Sequence, residues 1–384
     1  MGKIITENHD WATDIVLISD IHLGVHNSEI EWTDNIIDYF DNFFIPYIKS
    51  FRDEQHMTPL VVIAGDLFEN RQQIDINVLN VGMDILEKIG EHAYVYLCVG
   101  NHDIYRERDI SVNSLRAMKG IKNVTLIDRP TVIHIAKGHR ICLLPWMITH
   151  KEEMDFLTEH KDDAEVFVMH SEIKGMKMDN GRPITGGVDP KCLGKKGVIY
   201  SGHIHTRQTS RNVTYLGCPY HMKRSDIGNI KGIYNLHVDE STGELMERFK
   251  ENDYSPRLVS INLMDILEKP LGDVLDMMHN NYVDLTVPKR YKKEAERKNI
   301  ADVFSDAGAK NITIRQDNTE QEKKAEEKKK EGETDGDTTI RGIFTRKITS
   351  MDLDEKSVDS LNKMNENYIK QAMDALNYTD GENI

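Results

Sequence analysis

The sequence predicts an α/β sandwich, and three observations carry that expectation. Short, nearly continuous apolar runs recur up to about residue 217, most of them end in a compact polar cluster, and helix-like stretches separate them. The runs cover 15–18, 60–63, 94–99, 141–144, 166–169, 198–200 and 213–216. Apolar side chains without polar alternation suit strands buried on both faces. Residues 31–49 and 75–90 read as helices. In the second, Val78, Leu79, Met83, Ile85, Leu86 and Ile89 recur at spacings of three and four. Strands alternating with helices give the sandwich.

Residues 231–250 read as a hairpin turning at 241–243 that closes a catalytic domain spanning 1–255. After Pro256 the rhythm changes to a small α+β module over 256–316, with strands at 257–263, 282–288 and 311–316 and helices at 271–279 and 290–307. Residues 317–339 contain one apolar side chain, Ala325, too little to bury, so they read as a charged, flexible linker. Glu and Lys spacings there allow a transient helix over 320–331. The tail, 340–384, regains Val358, Leu361, Met364, Tyr368, Ile369, Ala372 and Leu376, largely on one helical face. It has no core of its own, so it docks back or binds a partner.

A length of 384 residues suits one large catalytic domain with appendages. The formal charge of −15 argues against a surface coated in basic patches. It does not exclude DNA, because carboxylates that hold divalent cations are balanced locally by them. Cys98, Cys142, Cys192 and Cys218 form no CxxC pair, so neither a disulfide framework nor a zinc finger is expected, and a reducing, cytoplasmic setting fits. The N-terminus has no apolar signal region, its match to a myristoylation pattern is too short to weigh, and no run is long enough to span a membrane.

The chemistry lies at the strand ends. Asp20 and His22 stand in DIHLG, Asp66 in GDLF, Asn101 and His102 in GNHD, His170 after VFVM, and His203 and His205 in GHIH. Open α/β folds place their sites at the carboxyl ends of strands. Alone, a strand-end Asp is usually a helix cap and a lone His an ordinary packing or surface residue; the ordered convergence of five clusters is the signal. Phosphodiester hydrolysis needs charge stabilised on the attacking and leaving oxygens, which two metal ions roughly 3.5–4 Å apart provide. Two dications repel, so an anionic bridge is required, and Asp66 is the natural one. Neutral imidazole and amide ligands mixed with carboxylates suit Mn²⁺, Fe²⁺ or Zn²⁺ better than an all-oxygen Ca²⁺ cage. His102, beside the ligand Asn101, is placed to protonate the leaving oxygen, with Asp103 fixing its ring. Gly65, Gly100 and Gly202 each precede a ligand and permit tight turns.

Elsewhere the plainer reading holds. His26, His92, His134, His139, His150, His160, His221 and His279 lack ligand spacing. The run 175–181 reads as a loop near the site, with Met176 and Met178 as packing residues. The basic run 289–298, with Tyr291, is a solvated helix face or a phosphate contact; Lys223 and Arg224 are a second phosphate-contact candidate.

These motifs, in this order over about residues 14–217, resemble the calcineurin-like metallophosphoesterases. LLPWM (143–147), YLGCP (215–219), the small module and the tail narrow the resemblance to the nuclease subunits of SbcCD-type DNA-repair complexes, those of T4-like phages most of all. The resemblance implies a four-layer α/β/β/α sandwich with a small α+β cap and a helical C-terminal tail. It implies Mn²⁺-dependent exonuclease and endonuclease activity on DNA ends, with Mg²⁺ or Fe²⁺ as alternative metals. Asp20, His22, Asp66 and His205 would hold one ion, and Asp66, Asn101, His170 and His203 the other. Helices in 31–49 and 75–90 would form a homodimer, 257–316 would contact DNA, and 340–384 would bind a coiled-coil ABC-type ATPase. One position departs: many cellular relatives carry histidine three residues after the bridging aspartate, where this chain has Glu69. Two rival functions share the sequence features: a dinuclear phosphoesterase acting on phosphoproteins or cyclic nucleotides, and a non-catalytic scaffold for the ATPase. The appended module and tail disfavour the first, and the intact ligand set disfavours the second.

Overall fold

The structure is a computed structural model that describes residues 4–55, 57–106, 109–147, 149–162, 164–194, 197–263, 271–288 and 304–317. It divides into two units, Met1–Ser255 and Pro256–Ile384.

The first unit is built on two sheets. One contains β2 (Asp14–Ile18), β3 (Leu60–Ile63), β4 (Tyr94–Cys98), β7 (Val124–Ile127), β14 (Gly232–Val238) and β15 (Leu245–Glu251), in the order β15-β14-β2-β3-β4-β7. Its β2, β3, β4 and β7 run parallel, and the β14–β15 hairpin joins antiparallel to β2. The other sheet contains β1 (Ile5–Asn8), β8 (Thr131–His134), β9 (Arg140–Leu144), β10 (Val166–His170), β11 (Val198–Gly202), β12 (Gln208–Ser210) and β13 (Val213–Tyr215). Its order is β1-β8-β9-β10-β11-β13-β12, with β9, β10, β11 and β13 parallel. A small ribbon, β5 (Ile104–Arg106) with β6 (Asp109–Asn113), follows the GNHD segment.

The burial of alternate side chains explains the continuous apolar runs. In β2, Ile15 and Leu17 face the second sheet, in a core with Ile133, Leu143 and Val168. Val16 and Ile18 face the other way, into a core with Ile36, Phe40, Phe44, Ile48, Ile85 and Leu86. Those residues belong to α1 (Ile30–Tyr39), a π-helical turn (Phe40–Phe44), α2 (Ile45–Gln55) and α3 (Ile76–Gly90). On the outer face of the second sheet, Phe156 and Leu157 of α4 (His150–His160) pack with Cys142, Phe167 and Ile199. Helices, sheet, sheet and helix make the four layers of the expected α/β/β/α sandwich.

Expected elements recur with physical adjustments. The stretch expected as a helix over 31–49 runs on to Gln55 through the π turn, which keeps Phe40, Phe43 and Phe44 buried together. α3 begins where Asp75 caps it, its carboxylate accepting from the Asn77 amide at 2.8 Å. In the hairpin, the Asp239 carboxylate accepts from the amides of Ser241 and Thr242. Six strands carried no continuous apolar signal: β1 is an exposed edge, β7 a half-buried edge, β8 alternates, and β5, β6 and β12 are short and largely exposed.

The second unit holds a parallel sheet, β16 (Leu258–Asn262), β17 (Tyr282–Pro288) and β18 (Asn311–Asp317), in that order. α5 (Leu271–Met278) supplies the first crossover, and Ile261, Val274, Met278, Leu285, Val287 and Phe304 form its core. Of the helix expected over 290–307, only 304–307 is described, and it is helical over 304–306. The basic run 289–298, the linker beyond Asp317 and the tail 340–384 lie outside the described residues.

Candidate metal centre

Both sheets deliver their parallel strands to one site. Asp20 and His22 follow β2, Asp66 follows β3, and Asn101 and His102 follow β4. From the second sheet, His170 ends β10, and His203 and His205 follow β11. Asp20, His22, Asp66 and His203 hold φ angles of 55, 51, 54 and 84°, a left-handed backbone that costs roughly 1–3 kcal/mol per residue and concentrates at functional sites. Gly100 is required by close approach: a Cβ there would stand 2.2 Å from Asp66 Oδ1.

The side chains form two groups of potential ligands that Asp66 faces, and a third grouping joins His22, Glu69 and His102. In the first, atoms of Asp20, His22 and His205 lie within 4.8 Å of one another; in the second, those of Asp66, His170 and His203 do. Asp66 faces both, with Oδ2 3.7 Å from His22 Nε2 and 3.2 Å from His170 Nε2. Asn101 Oδ1 accepts from His170 Nε2 at 2.9 Å and from His203 Nδ1 at 2.7 Å. Asp20 accepts from the backbone amide of His203 at 3.0 Å, stitching the first sheet to the second. All seven residues expected as ligands are therefore gathered in one place.

The donor set fits divalent cations. His22 Nε2 is buried without a hydrogen-bond partner, 3.8 Å from Asp20 Oδ1 and 3.7 Å from Asp66 Oδ2, as a ligand nitrogen should be. His170 donates through Nδ1 to the Ala64 carbonyl at 2.7 Å, which aims Nε2 at Asp66. The charges agree. Burial disfavours the Asp20 carboxylate, but His22, His170 and His205 pull it down to about 2. Burial likewise opposes the charge on Asp66, yet His170 and His22 hold it far below the usual carboxylate range. Burial pushes His22 down, and Asp20, Glu69 and Asp66 more than reverse it, to about 10. His170 goes to about 9 in the same way, against burial and by Asp66 and Asp20. Burial together with the neighbouring His170 and His22 respectively depresses His203 and His205 to about 4. Without metal, the protons on His22 and His170 supply positive charge that cations would bring.

The GNHD segment differs in detail from expectation. The His102 ring donates through Nδ1 to the backbone carbonyl of Glu69 at 2.7 Å, so that carbonyl, and not Asp103, fixes it. The Asp103 carboxylate accepts instead from the amides of Gly100, Asp66 and Phe68 at 2.8, 3.0 and 3.3 Å. Burial and Asp66 push it up to about 7 against those amides. Asp103 thus shapes the turn that presents Asp66.

Residues that spacing did not single out also reach the site. Glu69 Oε2 lies 2.6 Å from His22 Nδ1, and burial is outweighed by His22, so Glu69 falls to about 2. The Trp146 ring stands 5.2 Å from that of His203 and 6.1 Å from that of His170, forming a wall. LLPWM marked Trp146 as a motif without indicating this. In the loop 175–181, Met176 is buried and Met178 exposed, and Asp179 accepts from the Thr206 amide beside His205. His26 stacks on Trp32 and bonds to the Met222 carbonyl.

A carboxylate between two histidine-bearing groups, at the carboxyl ends of parallel strands from two mixed sheets, is the donor arrangement expected of a metallophosphoesterase. Residues 13–207 match the family model of the calcineurin-like phosphoesterases, and the chain belongs to that family. It is similar to Exonuclease subunit 1 of Enterobacteria phage T4, 27% identical over 236 residues, covering 60% of this chain and 67% of that one. It is also similar to phosphoesterase 078R of Invertebrate iridescent virus 3, 26% identical over 305 residues, covering 76% of this chain and 78% of that one. A solved 5′-nucleotidase precursor from Thermus thermophilus aligns at 15% identity and a TM-score of 0.30. That alignment covers 62% of this chain and 54% of that one. The chain is a hydrolase of phosphoester bonds.

Proposed function

We propose that the chain is a Mn²⁺-dependent DNA nuclease subunit, acting as exonuclease and endonuclease in double-strand-break repair or recombination with an ABC-type ATPase partner, in the cytoplasm of the cell that harbours it. The observation that carries the reading is the likeness to a phage exonuclease subunit across 60% of the chain, together with a full ligand set. When bound, two divalent ions would stabilise the charge that develops on the attacking and leaving oxygens. Asp20, His22 and His205 would hold one, Asn101, His170 and His203 the other, and Asp66 both. His102, held through Nδ1, keeps Nε2 to donate a proton to the leaving oxygen. Trp146 offers a flat apolar wall beside His203, suited to a base or deoxyribose.

The test is cleavage of a linear duplex labelled at its 5′ or 3′ end, with Mn²⁺, Mg²⁺ or EDTA, by the parent and by His102→Ala. Metal-dependent cleavage reduced about 10²–10⁴-fold in the variant is expected. A parent that hydrolyses a phosphopeptide or a cyclic nucleotide but no DNA would move the function to another phosphoesterase, and full repair function in His102→Ala would favour a scaffold. Ile30 and Ile76, 74% and 76% exposed at the starts of α1 and α3, support a dimer face there, which sedimentation would test. Deleting 340–384 should abolish co-purification with the ATPase and leave metal binding intact.

A further inference from the structure

Glu69 lies three residues after Asp66, and it reaches the centre at two points. Its carboxylate Oε2 is 2.6 Å from His22 Nδ1, the ring nitrogen opposite the one that faces Asp20 and Asp66. Its backbone carbonyl accepts from His102 Nδ1 at 2.7 Å. The residue is held there by its own main chain. His22 N donates to Asp66 O at 3.1 Å, Leu23 N to Leu67 O at 2.8 Å, and Glu69 N to Leu23 O at 2.9 Å. This short ladder zips the segment after β3 against the segment after β2, so the carboxylate arrives beside His22 with little freedom.

We infer that Glu69 is a positioning residue for the metal ligand His22. Its carboxylate stands against Nδ1 as an ion-pair contact, favours a proton on that nitrogen and leaves Nε2 facing Asp20 and Asp66. A carboxylate behind a ligating imidazole also makes the ring a better donor. The labour is divided within one residue: the side chain serves His22 and the main chain serves His102. Substitution of the side chain therefore separates the two effects. The inference rests on the two-metal reading of the site and not on the choice of DNA as substrate.

The experiment uses the full chain, stripped with chelator and titrated with Mn²⁺ alone in a calorimeter, for the parent, Glu69→Gln and Glu69→Ala. Removing such an outer partner weakens metal binding about 10–100-fold. The expected result is a loss of that size in one of two binding steps for Glu69→Ala, with the other step unchanged. Glu69→Gln keeps an acceptor oxygen and should recover part of the loss. In the Zn²⁺-loaded parent, ring ¹⁵N spectra should show His22 protonated at Nδ1, with that proton exchanging faster in Glu69→Ala. Two steps identical to the parent in Glu69→Ala would overturn the inference, and so would a proton on Nε2 of His22. Mn²⁺ binding that follows these expectations in a parent that hydrolyses a phosphopeptide or a cyclic nucleotide but no DNA would refute the nuclease reading while leaving this one standing.

Discussion

Loading the centre with divalent cations should expel protons, and their number follows from the side chains. In the metal-free site, burial works against protonated His22 and His170, yet the surrounding carboxylates hold them protonated up to about 10 and about 9. His203 and His205, depressed to about 4, are already neutral in any buffer used for loading. A ligand nitrogen must give up its proton to bind a metal. Filling both positions therefore releases two protons near pH 8, where Asp103, poised at about 7, is largely ionised already. The cost is the gap between pH and pKa, about 1.4 kcal/mol per unit. At pH 8 that is about two decades for His22 and about one for His170, so roughly a thousandfold on the affinity for the pair. Below pH 9 the affinity for both ions together should rise about a hundredfold per pH unit. Calorimetric titration with Mn²⁺ at pH 8, in buffers of different protonation enthalpy, gives the proton count directly. A count below one, or an affinity flat from pH 7 to 8.5, would show that the imidazoles are not held charged by Asp20 and Asp66.

Three further outcomes follow from the same contacts. Asp103→Ala removes the acceptor for three buried amides, at roughly 1–3 kcal/mol each; a large drop in thermal stability with weakened Mn²⁺ binding is expected, and an unshifted melting temperature would contradict it. Lys231 is buried against Asp226 at 2.6 Å and also donates to the His205 carbonyl at 2.7 Å, so Lys231→Met strands a buried carboxylate and should cost about 3–5 kcal/mol in urea unfolding. The pH dependence of the metal-free protein has a definite sign. Raised His22 and His170 give stability that is full below about 6.5 and lost as pH rises through about 9 to 10. Depressed Asp20 and Glu69 give stability present above about 4.5 and lost as pH falls through about 2. Melting curves in chelator should therefore fall between pH 7 and 10, and a flat curve there would count against the assignment.

The ligand set was legible because each ligand sits within a few residues of a strand's end, and strand ends announce themselves by a sudden change from apolar to polar. What sequence proximity could not convey is direction. Asp103 adjoins His102, which suggested that it orients that ring; in the fold the two side chains diverge, and the carboxylate turns to the amides of Asp66, Phe68 and Gly100. Glu69 showed only as a substitution for histidine, because its contact with His22 depends on a ladder between segments more than forty residues apart. β1, β7 and β8 escaped notice since edge positions and alternation leave no continuous apolar run.

The division of the strands between two sheets was equally hidden, as both faces of either sheet are buried and give the same apolar run. That division sets the chemistry. The centre is a seam: His170 of β10 donates to Ala64 beyond β3, the His203 amide donates to Asp20 beyond β2, and the Trp146 amide donates to Val99 beyond β4 at 2.7 Å. Asp66 can face both ligand groups only while these crossings hold the sheets in register. The apolar core between the sheets, with Leu17, Val62 and Val168, is thus as much a condition of metal binding as the ligands themselves.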